Sequence, residues 1–268
     1  ERSALRVYPY LKPDYMLITN LSRDSIMRNA HPEYIRDILT KYIPKETKLI
    51  LNADDLICCG IAPENPRVYF GIEKMDTDVT DCVNLINDLQ ICPQCHRRLE
   101  YEYRRYNHIG RAYCPHCGFK APAYDYAGCH VDLDKMRIDV RDAAGIGHYR
   151  LLNESIFNIY NVVSAVALLR EIGYSHAQIE TFFAKLNIVG SRYDAETIGS
   201  RTLYRLLAKE KNAFATTRVF DYISGLDGDK EIILMNSCQG DMKHWSENTC
   251  WLYDCDFEFL NRDNIKNI

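Results

Sequence analysis

Four of the eleven cysteines fall in two Cys-x-x-Cys pairs, Cys92-Pro-Gln-Cys95 and Cys114-Pro-His-Cys117, with 18 residues between them. Two thiolates three positions apart can grip one ion from a tight turn. Two such turns complete a tetrahedral all-sulfur shell, which favours zinc. That shell leaves no position for water or substrate, so the expected metal is structural and not catalytic. Between the pairs, Leu99–Tyr103 alternates as a strand and Gly110–Tyr113 runs back, which predicts a small β-ribbon within residues 90–122. The other seven cysteines (Cys58, Cys59, Cys82, Cys129, Cys238, Cys250, Cys255) show no framework spacing, as expected of free thiols in a reducing compartment. His96, His108 and His116 read as surface residues beside the metal. Arg97, Arg98, Arg104, Arg105 and Arg111 interleave with Tyr101, Tyr103, Tyr106 and Tyr113. Such a strip either contacts nucleic acid or is a solvated ribbon whose arginine stems cover tyrosine faces; composition favours the solvated ribbon.

The elements that must carry these groups follow from hydrophobic period. Apolar runs predict strands over residues 14–21, Lys48–Asn52, Arg67–Gly71 and Met136–Arg141, with a helix over His31–Ile43. Ile156–Ile172 is apolar almost all round and reads as a buried helix ended by Gly173, followed by an amphipathic helix over Tyr174–Leu186. A second pattern follows: strand Thr202–Ala208, helix Asn212–Ile223, strand Glu231–Met235. Strands alternating with helices give an α/β fold with a largely parallel sheet. The expected division is a central domain over residues 1–190, interrupted by the ribbon at 90–122, a hinge at Gly190–Gly199, and a smaller α/β domain over 195–268. In such sheets ligands sit at the carboxyl ends of strands, here Thr19-Asn20 and Asn52-Asp54-Asp55. The 268 residues carry 33 Lys plus Arg against 37 Asp plus Glu, a net charge of −4, which argues against a bulk nucleic-acid binder. No apolar run approaches the roughly 18 residues of a membrane span, and no signal peptide is evident, so a cytoplasmic protein is expected. Because the sequence opens on Glu1 and stops inside a pattern, it is expected to be a piece of a longer chain.

The order of these pieces resembles the Mur ligase superfamily and, within it, the MurT-type subunits of lipid II isoglutaminyl synthase. Pro13-Asp-Tyr-Met-Leu-Ile-Thr-Asn-Leu-Ser-Arg-Asp24 is similar to that family's strand and T-N-x-x-R-D turn. Leu51-Asn-Ala-Asp-Asp55 is similar to its N-A-D-D segment, and Phe157-Asn-Ile-Tyr-Asn161 to its N-x-x-N helix start. A four-cysteine ribbon inserted in the central domain separates the MurT type from ordinary Mur ligases. Leu207–Asn212 and Trp251-Leu-Tyr-Asp-Cys-Asp-Phe-Glu258 resemble its C-terminal domain. The P-loop G-x-x-x-x-G-K-[ST] is absent, and Gly145-Ile-Gly147 is no substitute for it. The resemblance places that phosphate cradle, and the acidic segment that helps hold magnesium, upstream of Glu1.

The resemblance implies an ATP-dependent ligase, with magnesium and a structural zinc. It would amidate the α-carboxyl of D-glutamate in the lipid II stem peptide, using ammonia from a GatD-type glutaminase partner and meeting the membrane only through lipid II. Thr19, Asn20, Arg23 and Asp24 would then face phosphates or substrate; an Asx or ST turn capping a helix is the plain alternative. Asn158 and Asn161, one turn apart, would bind adenine, unless they are packing amides of a buried core. Arg192 would reach the nucleotide from the hinge. Asp254, with Asp256 as alternate, would orient the histidine of the partner's Cys-His pair, unless it only caps a helix. Two other readings stand beside this one: a Mur-type amino-acid-adding ligase without a glutaminase, and a zinc-ribbon module that binds nucleic acid.

Overall fold

The computed structural model describes residues 3–25, 31–186, 193–209, 211–235 and 249–268. The chain divides into two compact units, one of Glu1–Leu21 with Glu33–Asn187, the other of Ser22–Pro32 with Ile188–Ile268.

The larger unit is built on a six-stranded sheet. Its strands are β1 (Tyr15–Ile18), β2 (Lys48–Asn52), β3 (Arg67–Ile72), β6 (Tyr126–Asp132), β7 (Arg137–Asp142) and β8 (Gly145–Arg150), in the order β1-β2-β3-β6-β7-β8. The first four run parallel, and β7 and β8 fold back as an antiparallel meander. Parallel strands are covered on both faces and therefore read as unbroken apolar runs; Leu49, Ile50 and Leu51 of β2 are fully buried. Short helices α1 (Ala4–Val7) and α3 (Leu56–Cys59) and the crossover helix α2 (Pro32–Tyr42) share one apolar cluster with β1 and β2, through Ala4, Ile35, Leu39 and Ile57 against Leu49 and Leu51. The connection from β3 to β6 carries no helix; it carries β4 (Glu100–Tyr106) and β5 (Ile109–Tyr113), an antiparallel hairpin flanked by the cysteine pairs.

Helix α4 (Ile156–Ile172) packs on β2, β3 and β6. It buries Ile159, Tyr160, Val162, Val163, Val166 and Ala167, which is why its sequence lacks a polar face. Gly173 closes it in the left-handed region (φ 108°), and the Tyr174 amide returns to the Leu169 carbonyl (3.0 Å). Helix α5 (His176–Lys185) starts in a Ser175–Gln178 capping box and covers β8.

In the smaller unit, β9 (Tyr193–Ile198) and β10 (Arg201–Leu206) form a hairpin through Gly199 (φ 63°). The sequence pattern predicts only the second strand, because the exposed, mostly polar β9 has no apolar run to mark it. Helix α6 (Ala213–Gly225), capped by the Asn212 side chain, packs on two 3₁₀ turns, Cys250–Asp254 and Phe257–Leu260. The strand expected over Glu231–Met235 shrinks to β11 (Lys230–Glu231), parallel to β12 (Ile265–Asn267). Ile233 and Met235 are each more than four-fifths exposed, so their apolar character bought no burial. Among the described residues no helix is long and apolar enough to cross a membrane.

Candidate functional site: a thiolate cluster and a buried charge network at the strand ends

The two cysteine turns have matching geometry. Cys92 N–H donates to the Arg97 carbonyl (2.8 Å) and Cys114 N–H to that of Phe119 (2.7 Å). The residue after each pair takes a left-handed conformation, His96 at φ 57° and Gly118 at φ 75°, and its amide returns to the first cysteine's carbonyl. These turns bring all four sulfurs within 4.8 Å of one another, with Sγ–Sγ separations of 3.6 Å for Cys92–Cys117 and 3.4 Å for Cys95–Cys114. A tetrahedron with Zn–S bonds of about 2.3 Å has edges of about 3.8 Å, so the donor set fits zinc in size and chemistry. Burial pushes the Cys114 thiol up, but the amides of Cys117 and His116 outweigh it and hold the thiol at about 7. The purified protein is therefore expected to carry one zinc per chain by metal analysis, and a chain with no stoichiometric metal would refute the assignment.

Only part of the expected basic-aromatic strip is a surface: Arg97 and Arg98 are exposed and Arg111 and Tyr113 half-buried, but Tyr101, Tyr103, Tyr106 and Arg104 are buried, and the Arg105 side chain is 3% exposed. This removes both the solvated-ribbon reading and the nucleic-acid contact surface for the buried residues. The hairpin instead turns its charge inward, against the N-A-D-D segment. Arg105 donates to Asp54 (3.3 Å), Asp78 (2.8 Å), the Tyr160 hydroxyl (2.5 Å) and the carbonyls of Ile72 and Glu73. Burial disfavours its charge, but Tyr160, Asp54 and Asp78 outweigh that and raise its affinity for the proton. Asp54 also accepts from Tyr160 (2.7 Å), Tyr124 (2.5 Å) and the Ile72 amide (3.1 Å). Tyr124 approaches β3 closely because Gly71 has no side chain; a Cβ there would meet the ring at 2.2 Å.

Asp55 is equally enclosed. Its Oδ2 accepts from the Leu21 amide (2.6 Å), and its Oδ1 accepts from Ile57 and Cys58, capping α3. His108, read from sequence as a surface residue, is fully buried, with Nε2 3.4 Å from Asp55 Oδ1. That distance is long for a hydrogen bond, and neither ring nitrogen has a well-formed one among the described residues. The contact is a close charge contact, an ion pair when the imidazole is protonated. Burial pushes Asp55 up, yet the charge of His108 and the amides of Leu21 and Cys58 outweigh it, so the carboxyl stays below its ordinary range. Burial likewise opposes the imidazolium, and Asp55, with Asp88 further off, raises His108 above its usual value. The histidine could not be told apart in sequence from His96 and His116, which are exposed.

Asp54 and Asp55 are thus internal supports and do not face a ligand. What they support is the strand-end backbone. Thr19 and Asn20 follow β1, where the Thr19 carbonyl accepts from the Asn52 side chain (2.9 Å) and Asn20 Nδ2 lies 3.4 Å from Thr19 Oγ1. Asn158 is half-buried and Asn161 exposed in the first turns of α4, so neither is a packing amide of the core. Tyr160, between them, is tied to Asp54 and Arg105. Arg192 lies outside the described residues, as do positions 190–192 of the expected Gly190–Gly199 hinge; the rest of that hinge is not a linker but strand β9 and its Gly199 turn, paired along its length with β10. In the smaller unit, Asp24 accepts from Lys209 (2.5 Å) and lies 3.4 Å from Asn212 Nδ2. Asp254, at the end of its 3₁₀ turn, has a half-exposed side chain 3.7 Å from Arg23. Asp256 is buried, its amide donating to Thr217 Oγ1 (2.9 Å).

No protein-family model matches the chain. Over its whole length it is 27% identical to the MurT subunit of the glutamine-hydrolysing lipid II isoglutaminyl synthase of Staphylococcus aureus, across 272 residues. It is 28% identical to the MurT subunit of Streptococcus pneumoniae across 274 residues. The chain spans 59% of the length of each of these relatives. Among solved structures it resembles a pseudomurein peptide ligase type C from Methanothermus fervidus, with TM-score 0.69 and 21% identity, over 100% of this chain and 54% of that one. It also resembles MurF from Acinetobacter baumannii, with TM-score 0.52 and 13% identity, over 82% and 39% of the two chains. The resemblance drawn from motif order and the cysteine ribbon is borne out: the curated relatives are MurT subunits, and the fold is that of the Mur-type ligases.

Proposed function

We propose that the chain is part of a MurT-type ligase subunit, which activates the α-carboxyl of D-glutamate in the lipid II stem peptide for amidation with ammonia from a glutaminase partner. The observation that carries this reading is whole-length similarity to two MurT subunits in a chain that also brings four thiols together in the β3–β6 connection. Residues 1–190 would form the central, ATP-binding domain and 195–268 part of the C-terminal domain, in the cytoplasm.

A carboxylate is a poor electrophile. Transfer of the γ-phosphoryl group of ATP makes it an acyl phosphate, which ammonia attacks with release of phosphate, provided water is kept out and the phosphoryl group is held by cations and donors. On this chain Thr19 and Asn20 would meet phosphate or substrate, Asn158 and Asn161 the adenine, and Arg192 the nucleotide. The solvent access of the two asparagine amides supports their part. Cys92, Cys95, Cys114 and Cys117 would hold the zinc, which supplies structure only. Exposure supports Asp254 over the buried Asp256 as the carboxylate offered to the partner.

The reading is tested with the full-length protein and its glutaminase subunit, given ATP, glutamine and lipid II. Mass spectrometry should find the D-glutamyl carboxyl converted to an amide, with one phosphate released per turnover. Addition of a free amino acid in place of ammonia would overturn it in favour of an amino-acid-adding ligase.

A further inference from the structure

The hairpin between the cysteine pairs meets the strand ends in a way that a mere insertion does not require. Besides Arg105 and His108, the Gly110 amide donates to the Asp54 carbonyl (2.8 Å). A Cβ at Gly110 would lie 2.3 Å from the Tyr103 carbonyl, so the pairing of β5 with β4 that presents this amide needs glycine there. One hairpin therefore touches Asp54 through backbone and side chain, Asp55 through His108, and α4 through Tyr160. Asp55 in turn fixes the Leu21 amide directly after Thr19 and Asn20. Asp54 and Asp55 are consecutive carboxylates with no exposed surface. Two such charges side by side repel, and each needs a compensating group; the hairpin supplies Arg105 to Asp54 and His108, a cation when protonated, to Asp55.

We infer that the cysteine ribbon is a positioning device for the ligand edge of the sheet: His108 holds Asp55, and through it the Thr19–Leu21 turn, while Arg105 holds Asp54 and, through Tyr160, the first turns of α4. That these segments meet a nucleotide rests on the function proposed above; that the ribbon sets their conformation does not. His108 is the informative residue. Asp55 keeps its three amide donors without it, so the fold can survive its loss while the turn loosens.

The test uses the full-length protein with His108→Gln, the charge-retaining His108→Lys and, as a control in α5, Phe183→Leu. Hydrogen exchange is the first readout. In His108→Gln, peptides covering Thr19–Leu21 and Asn52–Cys58 should exchange at least about tenfold faster, because an unpaired buried carboxylate favours local opening. Peptides from α5 should be unchanged. A cation returned to this position in His108→Lys should bring the exchange back toward wild type, a rescue that a simple packing defect at residue 108 would not show. Mg·ATP affinity, measured by calorimetry, should fall about tenfold or more in His108→Gln, recover in His108→Lys and stay at wild type in Phe183→Leu. Unchanged exchange at Thr19–Leu21 in His108→Gln, or a His108→Lys variant no better than His108→Gln, overturns the inference. If the wild-type full chain binds no ATP, the nucleotide reading fails, and the exchange data still decide the positioning role.

Discussion

Replacing Arg105 with methionine should lower the stability of the protein by roughly 3–5 kcal/mol, the range found when one member of a buried ion pair is removed. The side chain fills similar volume, so packing changes little. What changes is charge: Asp54 and Asp78, whose side chains are both fully enclosed, lose their shared cation. Asp54 retains hydrogen bonds from Tyr124, Tyr160 and the Ile72 amide, which satisfy its oxygens without neutralising it. For a domain of this size the loss corresponds to a fall in melting temperature on the order of 10 °C. Arg105→Lys should recover only part of it, because an ammonium cannot span Asp54, Asp78 and the two carbonyls as the planar guanidinium does. Thermal unfolding of the three proteins at neutral pH decides the matter. A melting temperature for Arg105→Met within a degree or two of wild type would mean that the network contributes nothing net.

The parts legible in the sequence were those written in period and spacing. Parallel β2 and β3 and the all-round apolar α4 announce themselves because burial on every side leaves no polar residues to interrupt them. The two cysteine pairs are legible because tetrahedral coordination demands that spacing. The ribbon's interior was not legible. Arginine and tyrosine alternate there as they would on a solvated strip, and nothing local reports that Asp54 and Asp78 lie opposite. Paired burial is a property of two distant segments, so composition inverted the answer for Arg104, Arg105 and His108. The same limit applies to Asp54 and Asp55, which the strand-end rule marks as ligand contacts. That rule locates the edge correctly but cannot say which of its polar groups face outward. Strand β9 was missed for the opposite reason: a hairpin exposed on both faces has no apolar signature to read.

On the function proposed above, the Asp254→Asn variant of the full-length complex should assemble and bind ATP like wild type, yet lose glutamine hydrolysis by about 10⁴-fold, the scale seen when a triad aspartate becomes an amide. Asp254 sits at the end of the Cys250–Asp254 turn, which the buried Trp251 and Cys255 anchor on either side, so its backbone position is fixed while its carboxylate reaches outward. Arg23 is its neighbour at 3.7 Å, a partly exposed pair that contributes little to stability and can be exchanged for another cation. An imidazolium in a partner's Cys-His pair is such a cation. Docking would strip water from the carboxylate and strengthen its hydrogen bond to the ring. The asparagine has almost the same shape and keeps the turn intact, but it cannot stabilise the imidazolium or fix its tautomer. Asp256→Asn provides the contrast. That side chain is buried beside the Thr217 contact, so its replacement should cost stability in the smaller unit and leave the glutaminase rate per folded complex near wild type. The comparison is made on purified complexes, with glutamate release measured beside ATP binding. Near-normal hydrolysis in Asp254→Asn with loss in Asp256→Asn would transfer the role to the buried residue, and near-normal hydrolysis in both would remove this segment from the partner's chemistry.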